Sequence, residues 1–172
     1  MAEFELIRQR GSHDCGIACV AMAFGTTYEE AQEIIGRNPN DAVAEFEGQN
    51  HAGLIPEEIA LAACRRGVPC LFLPVFEISP AGTWQHAWID VFKILRIDQI
   101  AELIFIDKYS AILGVESKNI PGVGHWIYVR DGVVYDPSLR DVYETGEVIP
   151  LQCAILFGKN IHQEAPINDV GC

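Results

Sequence analysis

Along this chain the apolar positions are spaced for helices first and for strands last. From Cys15 to Phe24 nearly every residue is small or apolar and Gly25 supplies a stop, which predicts a helix. Thr27 followed three residues later by Glu30 is a capping-box pattern, and it predicts a second helix to about Ile35, ended by Gly36 and Pro39. Residues 37–53 are polar, with Asn, Gly and charges, and read as mostly loop with a short helical turn. Pro56 suits the first turn of a third helix to Arg66, stopped by Gly67. The continuous apolar run 71–76 reads as a buried strand, and Asp98 as the cap of a helix over 99–106. Strand-like runs follow at 110–116, 125–130, 133–136 and 151–157. Asp131-Gly132 between two of them predicts a tight hairpin.

This order gives an α+β fold, with an N-terminal helical lobe and a C-terminal antiparallel sheet. At 172 residues, 49% of them hydrophobic, the chain suffices for one buried core, read as a single domain over 1–158 with a polar tail at 159–172. Net charge alters the list of partners. It is −12, and no basic cluster exceeds Arg65-Arg66, so the electrostatic footprint for a phosphate backbone is missing and nucleic acid is excluded. The opening MAEFELIRQR carries acidic residues where a secretory signal has positive charge and then an apolar run, and no window approaches a membrane span. A soluble, cytoplasmic protein is expected, with its oligomeric state open.

In that compartment Cys15, Cys19, Cys64, Cys70, Cys153 and Cys172 are expected as thiols, with Cys19, Cys64, Cys70 and Cys153 packed in the core and Cys172 exposed. No His or Cys pair has a metal-ligand spacing matched by a second pair, so neither metal nor cofactor is expected. Cys15 differs from the other cysteines in its setting. It stands at the first turn of an apolar helix, after the acidic Asp14 and six residues after Gln9. A helix N-terminus favours a thiolate. The hairpin supplies a base: with Asp131-Gly132 as the turn, Arg130 pairs with Val133 and Ile127 with Asp136. His125 and Asp136 then become diagonal neighbours on one face, about 7–8 Å apart at Cβ. In this reading Cys15 is the nucleophile, His125 the general base and acid, and Asp136 the orienting carboxylate. Gln9 and the Cys15 N–H are the oxyanion donors. His13 lines the approach to the thiol, Trp84 and Trp126 are candidate groove walls, and loops 38–53, 80–87 and 118–124 are candidates for specificity.

Taken together, QRGSHDCGIACVAMAFG (residues 9–25) and GHWIYVRDGVVYDPS (124–138) resemble the papain-like cysteine peptidases that process bacteriocins and other double-glycine leader peptides, here as a stand-alone domain. The resemblance extends to the segments at 54–67 and 97–117. It implies a papain-like fold, the same four residues in the same roles, and a peptide or protein substrate. The exporter span and ATPase that accompany many relatives have no counterpart in the chain. Two other functions use the same residues: acyl transfer to a nucleophile other than water, and peptide capture by a catalytically inactive module on the same fold.

Overall fold

The computed structural model describes residues 5–40, 44–46, 49–74, 109–117, 119–120, 123–138, 143–144 and 151–157. The helix expected at 99–106, the tail at 159–172, and Trp84, His86, His162 and Cys172 lie outside them. Among the described residues there are three helices, α1 (Cys15–Phe24), α2 (Tyr28–Ile35) and α3 (Pro56–Arg65). The strands are β1 (Ala44–Phe46), β2 (Gln49–His51), β3 (Cys70–Pro74), β4 (Ser110–Glu116), β5 (Gly124–Arg130), β6 (Val133–Tyr135), β7 (Tyr143–Glu144) and β8 (Leu151–Phe157).

Helix α1 is apolar on every side and is buried from Cys15 through Ala23. A helix with no polar face needs neighbours all round. It has them, since α2, α3, β4 and β5 all pack against it. Ile17, Val20 and Met22 are at most 1% exposed, and burying each contributes on the order of 2 kcal/mol. Helix α2 is amphipathic instead, burying Tyr28, Ala31 and Ile35 while Glu29, Glu30 and Glu33 face solvent. Its capping box is complete: Thr27 Oγ1 accepts from the Glu30 N–H at 3.2 Å, and Glu30 accepts from the Thr27 N–H at 2.9 Å. In α3, Glu58 accepts from the Ile55 N–H at 3.0 Å and pairs with Arg37 at 2.5 Å, fastening the start of α3 to the end of α2.

Six described strands form one antiparallel sheet in the order β3-β8-β4-β5-β6-β7. Strand β8, the last in sequence, therefore lies inside the sheet between β3 and β4. One side of the sheet contributes Ile112, Trp126, Tyr128, Cys153, Ile155 and Phe157 to the cluster around α1. Asp131 and Gly132 both have positive φ, 52° and 79°, the backbone of the two-residue turn that matches strand twist. Arg130 then pairs with Val133, Val129 with Val134 and Tyr128 with Tyr135, the register expected from the sequence.

Four expectations need correction. Strand β3, read as buried, leaves Leu71 55% and Phe72 39% exposed. Residues 44–51, read as loop, contain the β1-β2 hairpin, whose three-residue strands are too short to carry an alternating pattern. Cys64 is exposed rather than packed, because α3 buries only the stripe Ile59, Ala62 and Ala63, and Cys64 falls on its far side with Leu61, which is 48% exposed. Cys70, on the outer strand β3, is half-buried.

Candidate active site

The site joins the start of α1 to the hairpin β5-β6, segments more than a hundred residues apart in sequence. His125 opens the buried part of β5 and Asp136 follows directly on β6, where the hairpin register sets them diagonally. His125 Nε2 lies 2.8 Å from Asp136 Oδ1. An ionised carboxylate only accepts, so Nε2 carries the proton and donates. That leaves Nδ1 for the neighbouring Cys15 thiol, which favours the charged ring. Cys15, His125 and Asp136 are 7%, 8% and 2% exposed, so the three groups interact with little water between them.

Asp136 is itself fixed. Its Oδ1 also accepts from the Ser138 N–H at 2.8 Å and the Ser138 hydroxyl at 2.7 Å, and Asn119 Nδ2 donates to that hydroxyl at 3.2 Å. Burial pushes the Asp136 carboxyl up, but hydrogen bonds from His125 and Ser138 outweigh it and hold the group below its ordinary value. Burial pushes His125 down, but its bond to Asp136, the neighbouring Cys15 and the charges of both prevail, raising it to about 9. The imidazolium is thus favoured at neutral pH. Deeper in α1, burial together with the charges of Cys15 and Asp136 keeps the Cys19 thiol well above its ordinary value, hence neutral. Burial likewise raises Cys153, to about 11.

Gln9 sits beside this triad. Its backbone N–H donates to Pro137 O at 3.2 Å, next to Asp136, and its Nε2 donates to Gly11 O at 2.9 Å. One of the two amide hydrogens is thereby occupied and the other is left over, while Oε1 is buried without a partner. Asp14, the acidic residue before Cys15, does not act as a side-chain cap. It occupies the N-cap position, but its side chain makes no capping bond to α1.

Trp126 is buried, and its Nε1 donates to Leu54 O at 2.9 Å, tying the sheet to the turn before α3 instead of walling an open groove. His13 is exposed and its ring is bonded to Ser12 Oγ at 2.8 Å. Sequence reasoning missed Ser138 and Asn119 as supports of the carboxylate. The signal for Ser138 was the Asp-Pro-Ser order, which places a hydroxyl two residues beyond an aspartate in turn geometry.

Among the described residues, no group of three or more His, Cys, Asp and Glu is placed to hold a metal ion, and no helix is long and apolar enough to cross a membrane. Comparison with protein-family models and with curated proteins finds no match for the chain.

Proposed function

We propose that the chain is a cysteine peptidase of papain-like architecture, similar to the peptidases that process double-glycine leader peptides. The observation that carries this reading is the buried cluster of Cys15, His125 and Asp136, with the imidazole hydrogen-bonded to the carboxylate and the thiol beside it, assembled from segments more than a hundred residues apart. A core cysteine needs no such partner.

Cys15 Sγ attacks the carbonyl carbon of the scissile amide, leaving the proton it shares with His125 on the imidazole. The carbonyl oxygen becomes an oxyanion, for which the Cys15 N–H and the free amide hydrogen of Gln9 are the donors. The tetrahedral adduct collapses, the C–N bond breaks, and the departing amine takes the proton from His125. Water then loses a proton to His125 as it attacks the thioester, and collapse of that second adduct returns the proton to the sulfur and releases the acid. Asp136 holds the ring so that the same nitrogen faces each step. Acyl transfer shares the first half of this sequence and differs only in what attacks the thioester.

The test is digestion of a random peptide library, with new termini read by mass spectrometry. The wild-type protein is expected to generate them, while the Cys15→Ala and His125→Ala variants leave the library intact. A library left whole by the wild type, or cut equally by Cys15→Ala, removes the peptidase reading.

A further inference from the structure

Asp14 is wholly buried, yet the chemistry above does not use it. A carboxylate at an N-cap ordinarily turns forward onto the N–H of the second or third helical residue. Asp14 turns backward. Its Oδ2 accepts from the Arg10 N–H at 3.1 Å and from the Tyr28 hydroxyl, and both of its oxygens accept from the Gly11 N–H, at 3.1 and 3.0 Å. The Asn40 side chain lies close by and also favours the charged form. Burial pushes this carboxyl up, but bonds from Tyr28, Gly11 and Arg10, with Asn40 beside them, prevail and keep it below its ordinary value, hence charged. Tyr28, raised by burial and by Asp14, stays a donor, with the Arg10 guanidinium 4.1 Å from the centre of its ring.

The result is a closed turn from Arg10 to Asp14. Asn40 clamps it from outside, accepting from the His13 N–H at 3.1 Å, and the fit is close: a Cβ on Gly11 would lie 2.4 Å from Asn40 Oδ1. Gln9, at the mouth of the turn, is bonded to Gly11 O within it and to Pro137 O beyond it. The backward orientation also leaves the first N–H groups of α1 without a side-chain cap. A buried negative charge next to a nucleophile opposes the negative charge of the reaction, so what it offers must be geometric.

We propose that Asp14, with Tyr28, is a positioning residue: it fixes the turn between Gln9 and Cys15 so that the Gln9 amide and the Cys15 N–H converge on one oxyanion. This rests on Cys15 being the nucleophile. Asp14 touches no reacting atom and acts through Gln9 and the start of α1.

Two reagents separate this role from general support of the fold. Iodoacetamide alkylates a thiol by displacing iodide, with no oxyanion. p-Nitrophenyl acetate acylates it through a tetrahedral oxyanion, releasing nitrophenolate. The ratio of acylation to alkylation at Cys15, followed by mass spectrometry of its peptide, reports the donors, and exposed Cys64 is the reference thiol. In the wild type the ratio at Cys15 is expected to exceed that at Cys64. Asp14→Asn and Tyr28→Phe should each lower it about tenfold or more, in the direction of Gln9→Ala, with alkylation within about threefold of wild type. If Asp14→Asn does not fold, Tyr28→Phe decides alone.

A ratio unchanged in the folded variants, or both rates falling together, overturns the proposal. So does a wild-type ratio no higher than that of Cys64. If alkylation of Cys15 is also indifferent to His125→Ala, the nucleophile reading beneath it fails as well.

Discussion

Cys15 and His125, the proposed nucleophile and base, are held by different physics. Around Cys15 the geometry rests on one buried carboxylate, which gathers two backbone N–H groups of the preceding turn and the Tyr28 hydroxyl in front of a helix fixed by apolar burial. Around His125 it is a matter of register. A two-residue turn sets the β5-β6 pairing, and the diagonal of that ladder delivers the imidazole to the carboxylate. The first arrangement depends on single polar groups, whereas the second is distributed over a sheet and is harder to displace by one substitution. Among the described residues, hydrogen bonds of Gln9 to Pro137 and of Trp126 to Leu54 join the halves.

The largest test of this contrast removes the reacting groups themselves. Cys15→Ala is expected to abolish peptide cleavage while far-UV circular dichroism stays unchanged, since the loss of one sulfur at the helix start opens little space. Asp136→Asn should follow, slowing the reaction by about 10³-fold, because an amide presents its hydrogens to Nε2 and reverses the tautomer. Retained Tm with lost rate would show the hairpin framework intact and only the pairing of His125 with Asp136 broken. Gln9→Ala is expected to lower kcat by about 10² to 10³, with KM changing less.

A pH titration separates the halves by stability rather than rate. Unfolded, His125 titrates at 6.5, and folded at about 9, so its contribution is fully present below 6.5 and is lost as pH rises through 9. The Asp136 contribution is present above 3.8 and is lost as pH falls through its lowered folded value. Urea unfolding at pH 6 and pH 9.5 should therefore show a loss on the order of 3 kcal/mol that a His125→Gln variant lacks. An equal loss in that variant would place the alkaline sensitivity elsewhere. Smallest is Gly132→Ala, which forces a side chain into a turn position at φ 79° and should cost about 1 kcal/mol, read as a lower urea midpoint.

The same contrast governs what the sequence disclosed. Helices α1 and α2 and the β5-β6 turn were legible because each is specified by neighbours in the chain: an apolar run with a glycine stop, a Thr-Glu capping box, an Asp-Gly pair. The diagonal of His125 and Asp136 followed by counting back from the turn. Asp14 was legible as important but not in its direction. Its acceptors are filled from Arg10 and Gly11 behind it and from Tyr28 fourteen residues ahead, and no local rule ranks those donors against the helix. Cys64 was misplaced because the run around it is apolar on all sides, whereas only tertiary packing decides which stripe of α3 is covered. The order of strands in the sheet is equally invisible to local pattern, since nothing in β8 itself specifies that it lies between β3 and β4.

That interior place for β8 orders events during synthesis. Strand β3 has only β8 beside it among the described strands, and β4 has β8 on one side and β5 on the other. Until Leu151–Phe157 leaves the ribosome, both wait with open edges, although α1 and the β5-β6 hairpin have long been made. A nascent chain stalled before residue 151 carries Cys15, His125 and Asp136 on a sheet that lacks its interior strand. The proposed site therefore gains its full sheet support only once residues 151–157 have been made, by strand order alone.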